Sequence, residues 1–344
     1  MKKNLQGIVN GLKKKTVTIG VAVILGACGF TQVKQPEAIT IDGSSTVYPI
    51  TQKLLEKFNT MNKANVEVTA TFSGTGGGFK KFCAGKTDIN NASRPILQDE
   101  MEACKQNKIS YIELPIGFDA LTIVVNQANT WAEDITVSEL AKMWGPEAQR
   151  KITKWKQVRF LWPDQPLLLF GPGTDSGTYD YFAEAIVGKK KAIRSDYIAS
   201  EDDEVLAQEV SDNLNALGYF GYAYYLEHQD KLKAVAVDNG NGSIAPTKVA
   251  VEQGKYQPLA RPLFIYVNAV SAQKNPLMNE FIDFYMKNAQ EVVSSTGYVG
   301  FGEDSYMKLY RNYHKTKVGT VFGGEAQLNS SIDEILIKRT EYQL

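Results

Sequence analysis

Leu167 to Phe182 reads LLLFGPGTDSGTYDYF, an apolar run that breaks into a glycine-rich turn and restarts as an aromatic segment. Leu167, Leu168, Leu169 and Phe170 form a candidate buried strand; Gly171, Pro172 and Gly173 stop it, and Ser176, Gly177 and Thr178 put small residues where a helix would begin. The first turn of a helix carries backbone N–H groups with no internal partner and the positive end of the helix dipole, so hydroxyls and glycines there suit an oxyanion. Taken alone the segment also fits an ordinary capped helix start, because Ser and Thr are favoured N-caps for structural reasons.

The same device recurs twice upstream. A strand around Ile39 and Ile41 runs into Asp42-Gly43-Ser44-Ser45-Thr46, and a helix follows with Ile50, Leu54, Leu55 and Phe58 at helical spacing. Val66 to Phe72 alternates as a strand and breaks into Ser73-Gly74-Thr75-Gly76-Gly77-Gly78, after which Phe79, Phe82 and Cys83 share one helix face. A short strand Asp88 to Ala92 then turns at Ser93-Arg94-Pro95, which puts Arg94 in the corresponding place, at the carboxyl end of a strand where open α/β sheets bind ligands. Strands at Tyr111 to Pro115, Leu121 to Val125, Ala234 to Val237 and Leu263 to Val267 continue the pattern. Thr136 with Glu139 makes a capping box for a helix Val137 to Met143, and further helices are expected at Asp203 to Ser211, Pro276 to Lys287 and Gln290 to Ser295. The alternation implies an α/β protein with mainly parallel sheets.

The N-terminus belongs to processing rather than to the fold. Lys2, Lys3 and Lys13 to Lys15 precede an apolar run, Thr16 to Ala27, and then Leu25-Gly26-Ala27-Cys28. Residues 1–27 read as a secretory signal peptide of the lipoprotein type, with Cys28 lipidated and residues 28–37 a polar tether; the run is too short for a bilayer span. The chain is therefore expected to be exported, held at the periplasm or cell surface by a lipid anchor in the membrane. Of 38 basic and 38 acidic residues, five lysines and no acid lie before Cys28, which leaves a net charge of about −5 on the mature chain. That excludes a polynucleotide binder with a basic surplus. Cys83 and Cys104 remain as an even pair in an oxidising compartment and are expected to form a disulfide. The 317 residues from Cys28 suit two domains.

Other chemistries fit less well. Gly85-Lys86-Thr87 looks like the end of a P-loop, but Lys80 stands where that loop needs a glycine, and an exported protein meets little ATP. A serine hydrolase could use Ser176, yet Thr174 replaces the first glycine of an elbow motif and only His228 and His314 could act as base. Two scattered histidines supply no metal-ligand cluster, so no metal and no cofactor is expected.

Together, Gly43 to Pro49, Ser73 to Gly78, Ala92 to Pro95, Gly171 to Thr178 and Arg261 to Val267 closely resemble the phosphate-binding lipoproteins of bacterial ABC importers, over roughly residues 38–301. The resemblance implies a type II periplasmic binding protein: two α/β lobes, residues 38–120 plus 259–320 and residues 121–258, with a hinge and a central cleft, followed by a C-terminal tail 321–344. It further implies that Ser45, Thr46, Thr75, Gly76, Ser176, Gly177 and Thr178 donate hydrogen bonds to one inorganic phosphate, and that a monomer delivers this ligand to the permease subunits of an ABC importer without catalysis. A receptor for sulfate, molybdate or tungstate shares fold and device and is the alternative. There is one departure. Where the best-known branch of the family has an Arg four residues before the third-loop Ser, and a Ser-Asp after the second strand, this chain has Pro172 and Arg94. Arg94 is thus expected as the cation of the site, and Asp175 as the acceptor that separates protonated phosphate from unprotonated sulfate, unless Asp175 only caps the following helix.

Overall fold

The computed structural model describes residues 37–61, 66–188 and 192–341; the expected signal peptide, Cys28 and nearly all of the tether lie outside the described residues. Thirteen strands follow one another among these residues: β1 Glu37–Gly43, β2 Val66–Ala70, β3 Ile89–Ala92, β4 Tyr111–Ala120, β5 Thr122–Asn126, β6 Asp134–Thr136, β7 Leu168–Pro172, β8 Ile198–Ser200, β9 Ala216–Phe220, β10 Leu232–Ala234, β11 Ala236–Asp238, β12 Ser243–Ile244 and β13 Ala260–Asn268. They build two five-stranded sheets, β2-β1-β3-β13-β4 and β10-β5-β9-β7-β8, and a small sheet β12-β11-β6.

Each sheet is mixed, which departs from the expected mainly parallel arrangement. β1 pairs in parallel with β2 and β3, as strand-helix-strand units require, but β13 returns antiparallel to both β3 and β4. Both β4 and β13 are buried at every position, although β4 is the last strand of the sheet, because helices and the C-terminal segment cover that edge. β4 also runs five residues past the expected end at Pro115. In the second sheet β7 pairs in parallel with β8 and β9, while β5 pairs antiparallel with β9 and β10.

Helices pack on these sheets through the faces that periodicity marks. The helix Tyr48–Met61 buries Ile50, Leu54, Leu55 and Phe58, and Val137–Trp144 starts at a capping box in which Thr136 Oγ1 accepts from the Glu139 N–H at 3.1 Å while Glu139 accepts from the Thr136 N–H at 2.9 Å. The two helices expected between Pro276 and Ser295 are one, Pro276–Ser295. One hydrophobic cluster runs through both large sheets, and a smaller one, with Val124, Phe170, Leu206, Val210 and Phe220, lies under the helix Asp203–Asp212.

The chain passes from the first sheet to the second at Leu121 and back between Leu259 and Ala260. These passages lie side by side: the Leu121 N–H donates to the Leu259 carbonyl at 2.9 Å, and Tyr256 Oη donates to the Leu121 carbonyl at 2.9 Å. The segment beyond residue 320, expected as a tail, packs on the first sheet. Gly319 donates to the Tyr111 carbonyl at 2.8 Å, and Arg339, on the helix Ile332–Glu341, inserts its buried guanidinium to donate to the carbonyls of Glu113 and Lys317 at 2.6 and 2.9 Å. A buried arginine satisfied by backbone carbonyls makes this end of the chain part of the core.

Candidate functional site

The carboxyl ends of β1, β3 and β7 and the start of the helix Thr75–Phe82 deliver small hydroxyl residues to one place. Thr46 Oγ1 lies 3.3 Å from Thr178 Oγ1, and Thr75 Oγ1 lies 3.3 Å from Ser93 Oγ. Ser45, Thr46, Thr75, Ser93, Ser176 and Thr178 are all buried. The glycine-rich segment is not a free loop: Thr75 to Gly78 form the first turn of a helix, in which the Gly78 N–H already donates to the Gly74 carbonyl at 2.9 Å while those before it have no partner within the helix. Gly78 is required there, since a Cβ would sit 2.0 Å from Asn90 Oδ1 and 2.5 Å from the Gly43 Cα. A Cβ on Gly177 would meet Thr75 Oγ1 at 2.5 Å and Ser93 Oγ at 2.7 Å, so the second sheet presses bare backbone onto two hydroxyls of the first. Ser176 caps the helix Gly177–Phe182, its Oγ accepting from the Thr178 N–H at 3.1 Å.

Aromatic hydroxyls hold the first of these loops from behind. Tyr224 Oη donates to the Ser45 carbonyl at 3.0 Å, and Tyr298 Oη donates to the Thr46 carbonyl at 2.8 Å. Each lies in a part of the chain far from residue 46, so the loop's position depends on the whole fold.

Charge is distributed differently from the sequence expectation. Arg94 is buried, but Glu100 takes its two terminal nitrogens at 2.8 Å each, Asp180 takes Nε at 2.8 Å, and the Pro95 carbonyl accepts from Nη1 at 3.1 Å. Two carboxylates therefore already compensate the cation expected for the site. Asp175 is on the rim: its carboxylate is 44% exposed and bonds Lys80 Nζ at 2.7 Å, while its backbone carbonyl accepts from the Gly76 N–H at 2.8 Å. With Ser176 as the cap, Asp175 serves neither as a buried acceptor nor as the helix cap.

A second arginine takes the central place. Arg261, on β13, is wholly buried; Nε and Nη2 donate to Asp119 Oδ2 at 2.9 and 2.7 Å, Nη2 also donates to Thr46 Oγ1 at 3.1 Å, and Nη1 has no partner. Asp119, at the end of β4, accepts from the Tyr222 N–H at 3.0 Å; burial pushes its carboxyl up against the opposing pull of Arg261. Asp203 is wholly buried near the same pair. Its carboxylate lies against the Gly221 N–H without good hydrogen-bond geometry, and burial lifts it to about 7 although Arg261 pulls the other way. Asp180 keeps one oxygen, Oδ1, buried without a partner. On the rim, burial lifts Glu201 to about 7; it accepts from the Asp175 N–H at 3.1 Å.

Ser93, Asp119, Asp180, Asp203 and Arg261 were not singled out from sequence. Arg261 and Asp119 lie just outside the strands read from sequence, and only the longer strands β13 and β4 bring these charges into the interior, where each must find a partner. His228 and His314 bond Glu204 and Asp283, at 2.8 and 2.9 Å. Chemically, buried hydroxyls paired chiefly with one another, together with a guanidinium nitrogen left unbonded, form a set of donors suited to a small oxyanion.

Comparison with known proteins gives a consistent result. Residues 31–289 match the family model described as PBP superfamily domain. The chain is 49% identical over 321 residues to Protein SphX of Synechocystis sp., covering 93% of this chain and 95% of the relative. It is 36% identical over 313 residues to the phosphate-binding protein PstS of Staphylococcus haemolyticus, covering 87% and 96%. Among solved structures, a possible phosphate binding protein from Planctomyces limnophilus aligns with a TM-score of 0.59 and 43% identity, covering 81% of this chain and 98% of that one. A putative phosphate ABC transporter substrate-binding protein from Clostridium perfringens, at 23% identity and a TM-score of 0.65 over 77% of this chain and all of that one, shares the fold.

Proposed function

This chain belongs to the PBP superfamily, in the group of the phosphate-binding proteins, and from that membership we propose that it captures inorganic phosphate outside the cytoplasm and delivers it to the permease of an ABC importer. The observation that carries the reading is the buried set Thr46, Thr75, Ser93 and Thr178 beside Arg261, whose Nη2 bonds Thr46 Oγ1 and whose Nη1 is buried and unbonded. Arg261 and Asp119 cancel in charge, so the anion is held mainly by neutral donors: the hydroxyls of Ser45, Thr46, Thr75, Ser93, Ser176 and Thr178 and the N–H of Gly177, whereas the Gly76 N–H, expected as a further donor, is taken by the Asp175 carbonyl. Arg261 adds one charge-assisted bond.

The two large sheets are read as the cores of two lobes that hinge at residues 121 and 259. Bonds between them, Thr46 to Thr178, Gly76 to Asp175 and Arg94 to Asp180, then belong to the closed form. The acceptor role passes from Asp175 to Asp180, whose Oδ1 is buried and unbonded one helical turn beyond Ser176. A buried ionised carboxylate accepts from the proton that phosphate keeps near neutral pH and repels sulfate, which has none. Lipidation at Cys28, a monomeric state and the absence of catalysis complete the reading.

Isothermal titration of the mature chain with phosphate, sulfate and molybdate tests it. The expected result is one tight phosphate site per chain, with the other two anions at least tenfold weaker and the gap narrowed in Asp180→Asn. Sulfate or molybdate binding as tightly as phosphate overturns it.

A further inference from the structure

Residues 150–162, RKITKWKQVRFLW, take no part in the cleft, yet they expose apolar surface in an unusual way. Phe160 and Leu161 are 79% and 88% exposed, the two most exposed large apolar side chains among the described residues. They sit at the apex of a braced excursion. Trp155 and Lys156 donate through their N–H groups to the carbonyls of Gln165 and Pro163, at 3.1 Å each, and the Trp162 N–H donates to the Arg159 carbonyl at 3.0 Å. Behind the apex the buried rings of Trp155 and Trp162 meet at 5.3 Å. Arg159 lies 4.5 Å over Trp162, its guanidinium clamped by Glu139 at 2.7 Å and Asp134 at 2.9 Å. The apex therefore cannot fold its apolar side chains back onto the body.

The charges around it are one-sided. Residues 150–161 hold five basic residues and no acid, in a chain whose basic and acidic counts are equal. Arg159 is neutralised by its two carboxylates, but Arg150, Lys151, Lys154 and Lys156 are exposed; Lys156 Nζ stands 5.3 Å from the Phe160 ring, Lys154 Nζ bonds Asp164, and the Arg150 backbone N–H donates to Asp196. Two apolar side chains on a braced tip, with Lys156 beside Phe160 and other exposed basic residues in the same segment, match a lipid surface: the tip enters between headgroups while the lysines stay at the level of the phosphates. A protein partner would instead favour a broader apolar patch with a pocketed anchor. The apex also lies toward the amino end of β7, about 16 Å of extended chain away from the cleft loop at its carboxyl end, so contact there leaves the anion site open.

We propose that the Phe160–Leu161 apex with its flanking basic residues is a membrane-contact surface for an anionic bilayer, acting independently of any acyl anchor. The test uses the chain beginning after Cys28, which has no acyl group and contains the whole compact unit Pro36–Leu344. It is sedimented with vesicles of phosphatidylglycerol and phosphatidylcholine, or of phosphatidylcholine alone. The expected result is at least fivefold more bound protein with the anionic vesicles, falling with salt. Binding should drop to the neutral-vesicle level in Phe160→Ser/Leu161→Ser and several-fold in Lys151→Gln/Lys156→Gln, with melting temperature and phosphate binding unchanged in both. No sedimentation with anionic vesicles at low salt, or sedimentation unchanged in Phe160→Ser/Leu161→Ser, overturns the proposal. Cross-linking of the apex to a membrane protein without binding to protein-free vesicles would likewise overturn it, in favour of a protein partner.

Discussion

Arg261 lies in a nine-residue strand that is buried throughout, and its charge is tolerated there because Asp119 accepts from two of its nitrogens. Replacing it with methionine keeps the volume and removes both the cation and the partner of Asp119. Arg261→Met should weaken phosphate binding at least tenfold, about 1.5–3 kcal/mol, and lower unfolding stability by about 3–5 kcal/mol because Asp119 is left as an uncompensated buried charge. Adding Asp119→Asn should restore much of the stability and none of the affinity. Calorimetry and urea titration measure the two effects, and an unchanged affinity would remove Arg261 from the site. Asp203 supplies a pH signature. It titrates near 7 in the folded chain against an ordinary 3.8, so the folded state holds the extra proton between those values and loses stability as pH rises through that window. Asp203→Asn should therefore be more stable than the parent at pH 8, by a few kcal/mol at most, with the difference gone near pH 4. Denaturant midpoints at the two pH values check this; a difference of the same size at both would show that burial of the charge is not its cause.

Among the elements, those that matched the sequence reading are the ones whose ends are written locally. The Thr136–Glu139 capping box and the Ser176 cap start helices where their side chains require. The Cys83–Cys104 disulfide is present, joining the end of the helix Thr75–Phe82 to the helix Gln98–Gln106. It closes a loop with a sequence separation of 21, so Cys83→Ser/Cys104→Ser should lower unfolding stability by roughly 3 kcal/mol. Phosphate affinity should change much less, since neither sulfur belongs to the hydroxyl cluster; a loss of affinity matching that of Arg261→Met would show that the bridge positions Thr75. Elements were misjudged where long-range pairing sets the length. β4 extends to Ala120 because β13 pairs with it along its whole course, and no local pattern in Tyr111 to Pro115 reports a strand that arrives some 150 residues later.

For the molecule as a whole, the contact at Gly177 offers the sharpest test of closure. A methyl group there collides with Thr75 and Ser93, which belong to the opposite sheet, but leaves the core of either sheet untouched. Gly177→Ala should reduce phosphate affinity by tenfold or more while leaving the melting temperature of the phosphate-free protein almost unchanged. Small-angle scattering with and without phosphate should show compaction in the parent and little in the variant. Equal compaction in both would mean that the lobes do not close at this point.

Whereas the grouping of Ser45, Thr46, Thr75, Ser176 and Thr178 at one site was implied by the family resemblance, the sequence by itself determined the α/β class, the three hydroxyl-bearing strand-to-helix junctions and the cysteine pair. These depend on local backbone preference and on short motifs that repeat in the same topological place. Which charges are paired, and which guanidinium nitrogen is left unbonded, was decided only by tertiary structure. Arg94 meets Asp180 across 86 residues and Arg261 meets Asp119 across 142, and a carboxylate that reaches a guanidinium removes it from the count of free cations. Local sequence places Arg94 at the end of a strand beside the cluster, but the strength of an ion pair depends on distance and burial, and both are properties of the tertiary fold.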